Sequence, residues 1–388
     1  MSAHRSLWLF VIIPALVLSG CGKGQEGAQG AKVRTEIVDG VTLVHNPPEP
    51  LNPGKTVRFE EEVTFGAEES GPGAIYKPGQ FAIDALNRVL IYESGDGVIK
   101  VFGEDGRFLK TIGRKGQGPG DFGAAGFLGF CPDGRLLVTD FQNRRTSFFG
   151  PEGDFLASSQ WTKNISIPLL VLDSTYVVQE TFYDPKRSKL FVKTYDFEGA
   201  ELKSWGEFVY PEMKILVVGQ GAITTNVPHS PRSVLTGDPL FRRVYHCMND
   251  AYLIEVFDAD GRVLRKIDRP YERPPFTDAD REEYMARTSG SREIEEMYKV
   301  MPWPKVKTVT DRMLCDDRGF LWVATNETKV EAGLKLTAYD VFDAEGRYDA
   351  RVWLDFNPAR FAAGKMYRYK EDKDTGVRVL TRYRVVWK

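Results

Sequence analysis

One short pattern recurs five times along this 388-residue chain: an apolar run, an acidic residue followed by glycine, then a second apolar run. The turns are Glu104-Asp105-Gly106, Pro151-Glu152-Gly153, Phe197-Glu198-Gly199, Ala259-Asp260-Gly261 and Ala344-Glu345-Gly346. Each reads as a β-hairpin in which glycine supplies the positive φ that the turn requires. A second element stands upstream of several hairpins. It is an Asp-rich turn followed by a β-rich run, as at Asp84-Ala85-Leu86-Asn87, Asp133-Gly134-Arg135 and Asp316-Asp317-Arg318-Gly319, with a weaker copy at Asp173-Ser174. The fourth repeat shows no such turn between 240 and 250. One repeat therefore holds four short strands. A four-stranded antiparallel unit is a propeller blade, and it buries both apolar faces only between neighbours, so the ring must close.

The hairpins place five blades near 81–113, 127–161, 167–207, 215–267 and 312–354. A sixth is expected from the chain ends. The run 366–369 and the run 377–387 supply C-terminal strands, and 35–45 and 56–66 alternate as N-terminal ones. The fold class is an all-β, six-bladed β-propeller of four-stranded antiparallel blades, closed by N- and C-terminal strands. Between the fourth and fifth blades, 269–307 interrupts the pattern. Thr277-Asp278-Ala279-Asp280 resembles a capping box with Asp in place of Glu, and 281–287 and 292–300 read as two short helices stopped at Pro302. This insertion covers about 270–306.

The first residues carry an address. Arg5 and His4 precede an apolar run, 7–18, that is shorter than the ~20 residues of a membrane-spanning helix and fits a signal peptide. Leu18-Ser19-Gly20-Cys21 follows and resembles a bacterial lipobox. The resemblance implies cleavage after residue 20, lipidation of Cys21 and a flexible tether over 21–34 that leads into the propeller at 35–388. The expected location is the bacterial cell envelope, on the outer membrane or a periplasmic face. Three cysteines remain after cleavage: Cys131, Cys247 and Cys315. Cys131 and Cys315 hold matching positions in opposite blades. A disulfide needs Cα atoms within ~7 Å, so they are expected to be separate buried thiols. With 52 basic against 54 acidic residues, the chain lacks the basic excess of a dedicated nucleic-acid binder.

The run Ile112-Gly113-Arg114-Lys115-Gly116-Gln117-Gly118-Pro119-Gly120-Asp121-Phe122, set between two repeats, resembles NHL-type repeats. More broadly, about residues 35–388 resemble the six-bladed β-propeller lipoproteins of bacteria, within the TolB-like propeller superfamily. That resemblance implies the fold and the envelope setting, and it spans both enzymes and binding modules. Similarity to gluconolactonase-type propellers implies an alternative, a metal-dependent hydrolase or lactonase with a divalent ion held by Glu, Asn and Asp at the channel. Glu93, Asp140, Glu180 and Asn326 follow the second strand of four blades. That strand does not line the channel, so the alternative requires side chains from the inner strands.

No catalytic constellation stands out. His45, His229 and His246 lie outside any Gly-x-Ser-x-Gly or Cys/His signature, and no His/Cys pair has zinc spacing. The Asp-Gly turns lack the ligand spacing of a calcium loop. No cofactor and no metal are expected. The weak binding candidates are Arg114 and Gln117 on the Gly-rich connection, Arg144 on the neighbouring rim, His229 in a Pro-flanked loop, and Trp303, which either anchors a ligand or docks the insertion. The leading expectation is a non-enzymatic binding or scaffolding module, attached to the membrane through lipid, for a protein, peptide or glycan.

Overall fold

The computed structural model describes residues 32–388 except 162–164, 185–187, 219–220, 289–291 and 372–377. The signal segment, Cys21 and most of the tether lie outside the described residues. The rest forms the six blades, each with strands A to D in order from the channel outwards. Blade one is Pro78–Ile83, Val89–Glu93, Val98–Phe102 and Phe108–Ile112. Blade two is Ala125–Phe130, Leu136–Asp140, Arg145–Phe149 and Phe155–Gln160. Blade three is Ile165–Val171, Thr175–Phe182, Lys189–Asp196 and Glu201–Phe208. Blade four is Ser233–Asp238, Arg243–Met248, Leu253–Phe257 and Val263–Asp268. Blade five is Thr310–Cys315, Leu321–Glu331, Leu334–Phe342 and Tyr348–Leu354. Blade six takes Arg360–Ala362, Lys365–Glu371 and Arg378–Trp387 from the C-terminus and Val57–Phe65 from the N-terminus.

The sequence pattern follows from position in the blade. Central strands such as Val89–Glu93 and Arg145–Phe149 are buried along their whole length and read as continuous runs, whereas the outer strand Phe108–Ile112 alternates. The hairpin glycines answer two demands at once. Gly153 has φ +89°, and a Cβ there would lie 2.7 Å from Ile112 on the outer strand of blade one. Gly261 has φ +74°, and its Cβ would lie 2.6 Å from Trp205 on blade three. Each C–D turn thus leans on the preceding blade, and the space there admits no side chain.

Closure is a long antiparallel ladder from Leu380↔Phe65 to Trp387↔Val57. Two departures from the sequence reading occur nearby. The hairpin Arg34–Val38 and Val41–His45 does not enter blade six. It adds to the outer edge of blade four, with Val41–His45 parallel to Val263–Asp268. Val44 is buried there. The side-chain amide of Asn46 donates to Gly346 O at 3.0 Å and accepts from Tyr348 N at 2.7 Å. The chain then crosses blade five, where Leu51 N and Asn52 N donate to Tyr348 O and Asp349 O. The N-terminal segment is a belt over three blade edges.

The second departure concerns blade four, which begins at Ser233 rather than 215. Residues 213–226 are a separate hairpin, Met213–Val218 with Gly221–Asn226, whose alternation mimics blade strands. The A–B turn of blade four lies at 238–242. Asp238 Oδ1 accepts from Leu240 N and Phe241 N, and Arg242 takes the positive φ that Asn87, Gly134 and Gly319 take in other blades. An arginine in that role carries no turn signal, which is why the motif escapes a sequence reading.

The excursion before blade five contains α1 (Asp278–Thr288) and α2 (Arg292–Val300). Its capping box forms as written: Asp280 Oδ2 accepts from Thr277 N at 2.9 Å, and Thr277 Oγ1 accepts from Asp280 N at 3.3 Å. Met297, Tyr298 and Met301 are buried against Leu216 and Ile223 of the separate hairpin. A two-stranded neck ties the excursion down, with Phe276 N to Lys305 O at 3.0 Å and Lys307 N to Pro274 O at 2.8 Å. No helix among the described residues is long and apolar enough to cross a membrane.

Candidate functional site

A polar residue at or near the end of strand B ties down the segment that enters strand A in blades one, two, four and five, while its counterpart in blade three bonds strand C. Glu93 accepts from Tyr76 N and Lys77 N, and Asp140 accepts from Gly123 N and Ala124 N. Asn249 Oδ1 accepts from Arg232 N at 2.8 Å, and Asn326 Nδ2 donates to Thr308 O at 2.9 Å. Glu180 accepts from Tyr195 OH and pairs with Lys193 at 3.0 Å. Burial and this carboxylate push the Tyr195 hydroxyl well above its ordinary value. The four residues expected after strand B, Glu93, Asp140, Glu180 and Asn326, therefore work inside their own blades and do not converge. Among the described residues, no three His, Cys, Asp or Glu side chains cluster closely enough to hold one metal ion. In the C–D turn of blade four the acid serves its own backbone, as Asp258 Oδ1 accepts from Asp260 N and Arg262 N, and in blade two Glu152 pairs across to Lys110 of blade one.

A cavity of about 730 Å³ opens over blade five, between the loop that enters blade four and the link to blade six. One wall is the loop 226–232 that enters blade four. A second is α1, which contributes Asp280, Glu283 and Tyr284. Asp311 and Arg312 come from strand A of blade five, and Phe356 and Asn357 come from the link to blade six.

His229 sits in this wall with φ +51°. Its Nδ1 lies 2.9 Å from Thr308 Oγ1 and accepts the Thr308 backbone N–H at 3.2 Å. A nitrogen that accepts an N–H carries no proton, so the neutral ring is protonated on Nε2. Burial lowers the imidazole pKa, outweighing the Asp311 carboxylate 3.9 Å away. Asp311 is tied to three donors: Oδ1 accepts from Arg232 at 3.0 Å and Asn249 at 3.4 Å, and Oδ2 accepts from Asn326 at 3.2 Å.

Helix α1 is held over the cavity by ion pairs. Lys307 Nζ meets Asp280 Oδ1 at 2.7 Å and Lys335 of blade five meets Glu283, which also pairs with Arg287 within the helix. Burial raises the Asp280 carboxyl, but its hydrogen bonds with Lys307 and Thr277 prevail and hold it below the ordinary value. The hydrogen bond from Lys335 does the same for Glu283.

Of the residues singled out in the sequence, His229 lines this cavity. Trp303 lies inside the excursion. It stacks on Phe276 at 6.0 Å, carries Arg281 over its face at 5.0 Å, and donates Nε1–H to Tyr298 O. Arg114, Gln117 and Arg144 lie on the rim of blades one and two, beyond blade three. Arg114 pairs with Asp121 at 2.8 Å, Gln117 O accepts from Arg145, and Arg144 O accepts from Trp161 N. The sequence reading did not find Arg232, Asp311, Arg312 or Asn357. They belong to separate segments and share no motif.

Cys131, Cys247 and Cys315 are free thiols. Burial pushes Cys131 up to about 11 and Cys247 up to about 12.

No protein-family model matches the chain, and no curated protein matches it. Among solved structures it is similar to a member of the DUF4221 family from Bacteroides vulgatus, with TM-score 0.51 and 10% identity over 86% of this chain and 98% of that one. It is also similar to a Bacteroides fragilis protein named for its presumed export, with TM-score 0.50 and 11% identity over 89% and 99%. At such identities the likeness concerns the fold.

Proposed function

We propose that the chain is a lipid-anchored protein of the bacterial cell envelope whose propeller is a non-enzymatic binding module, and that a short stretch of glycan or peptide occupies the cavity over blade five. The observation that carries this reading is the convergence of polar side chains from blade five, the loop entering blade four, the link to blade six and one helix on a single concave space, the usual form of a small-ligand site. The state of His229 supports binding over catalysis: with Nδ1 accepting from backbone, Nε2–H offers a donor rather than a general base. The lipobox-like segment ending at Cys21, and a fold neighbour named for presumed export, support the envelope location.

Hydrogen exchange of the full-length protein in detergent, with and without envelope glycan and peptide extracts, tests the site. Protection is expected in 226–232 and 324–337. Protection confined to 114–122, or none, would remove the cavity from the proposal. Labelling with a radioactive fatty acid, lost in Cys21→Ala, tests the anchor. Thermal unfolding in chelator and then in Ca²⁺, Mg²⁺ or Zn²⁺ tests the metal-hydrolase alternative. Saturation at 100 Kd would stabilise by ~2.7 kcal/mol, and an ion-specific rise of that size would favour the enzyme.

A further inference from the structure

The charges around the cavity do not cancel, and the remainder points to a ligand class. Five Lys and Arg side chains line the space. Arg232 is paired with Asp311, Lys307 with Asp280, and Lys335 and Arg287 with Glu283. Arg312 has no ion pair among the described residues. Its Nη2 donates to Pro358 O. That bond fixes the guanidinium against the link to blade six. Nε and Nη1 have no protein acceptor among the described residues. Four carboxylates line the cavity, and three serve the pairs just named. The fourth, Asp355, is exposed and has no ion pair among the described residues.

A guanidinium held by one Nη2 proton keeps the other, which with Nε–H or Nη1–H still forms a two-donor edge that suits a planar oxyanion. Asp355 in the same space repels a dianion more strongly than a monoanion, so a carboxylate fits better than a phosphate. Asp355 also accepts hydroxyl protons. Asn357 Oδ1 already accepts from Tyr339 OH at 2.7 Å, which leaves its Nδ2 as a donor. His229 Nε2–H is a further donor. Tyr284 and Phe356 add aromatic surface, which suits the C–H faces of a sugar ring. One carboxylate with several hydroxyls on a ring describes a uronic acid.

We infer that the cavity binds an acidic saccharide, with a uronic carboxylate on Arg312 and ring hydroxyls on Asp355 and Asn357. The inference rests on the reading of the cavity as the ligand site.

Calorimetric titration of the full-length protein tests it with four probes: trigalacturonate, its methyl ester, trialanine with a free carboxylate, and trialanine amide. Trigalacturonate is expected to bind, with affinity that falls as salt rises, and esterification is expected to weaken it by about tenfold or more. Arg312→Gln should bring the acid to the level of the ester, with the domain still folded and its thermal midpoint lowered only slightly by loss of the bond to Pro358 O. Arg312→Lys should keep part of the preference. Arg114→Gln, on the other rim, should change nothing.

Equal binding of acid and ester, or an Arg312→Gln variant that retains the preference, would overturn the inference and leave the binding site standing. Binding of trialanine but not its amide, with no binding of trigalacturonate, would replace the saccharide with a peptide terminus. If none of the probes binds, the saccharide inference falls, and the extract experiment judges the site independently.

Discussion

The connection from blade one to blade two and the connection from blade four to blade five make the same step, from an outer strand to the next inner one. The first, 113–124, is sealed to the ring. Arg145, buried on strand C of blade two, donates to the carbonyls of Gln117, Gly118 and Asp121 at 3.0, 2.7 and 2.7 Å. Phe122 packs between Tyr92 and Phe149. The second, 269–309, leaves the ring through a neck, satisfies its own backbone in two helices and carries its own core around Trp303. The difference teaches what a connection gives up to be rigid. A loop whose carbonyls need a buried cation is committed to the scaffold. A connection that satisfies its own backbone in helices has side chains left to wall a cavity.

Four variants separate the sealed loop from the self-contained excursion. Arg145→Met should cost roughly 2–4 kcal/mol, because the buried Asp121 carbonyl and the partly buried Gly118 and Gln117 carbonyls lose their donor. Denaturant unfolding should show the loss as a lower midpoint for the whole domain, and an unchanged midpoint would mean the seal is not structural. Gly113→Ala should cost about 2–3 kcal/mol. Its φ is +70°, and the new Cβ would stand 2.3 Å from Phe122 and 2.8 Å from Gly120 O. Trp303→Ala should act locally, raising hydrogen exchange across 278–300 while shifting global unfolding by less than about 1 kcal/mol. A large global shift would show that the excursion belongs to the ring core.

The smallest effect concerns pH. His229 has a folded pKa below the reference 6.5. Above that value the ring is neutral in both states. As pH falls below it, the unfolded chain takes up the proton first, so stability declines until the folded pKa is passed. His229→Gln should remove that part of the acid sensitivity, seen as a flatter plot of unfolding midpoint against pH between 7 and the lower value.

The propeller was legible because glycine is required at each C–D turn both by φ and by the neighbouring blade. Nothing similar marks blade four's A–B turn, where Arg242 accepts the left-handed conformation. The hairpin 213–226 has the alternation of blade strands, and only its packing on α2 separates it from them. The fate of 34–45 was hidden for a different reason: edge strands are chosen by free partners, and two blades offered one. Within the cavity, His229 was visible from its Pro-flanked loop. Arg232, Asp311, Arg312 and Asn357 were not, since they meet only when blades four, five and six stand side by side.

The closing ladder sets a condition on synthesis. Val57–Phe65 is made early, yet its partner, Arg378–Trp387, is the last strand of the ring to appear. Until then blade six lacks its third strand, and the N-terminal belt is fastened only at blades four and five. A chain that stops short of those final ten residues leaves an open ring with bare strand edges on both sides of the gap. Closure thus reports that synthesis has passed Trp387: a copy truncated before that strand exposes the edges that degradation or aggregation recognises.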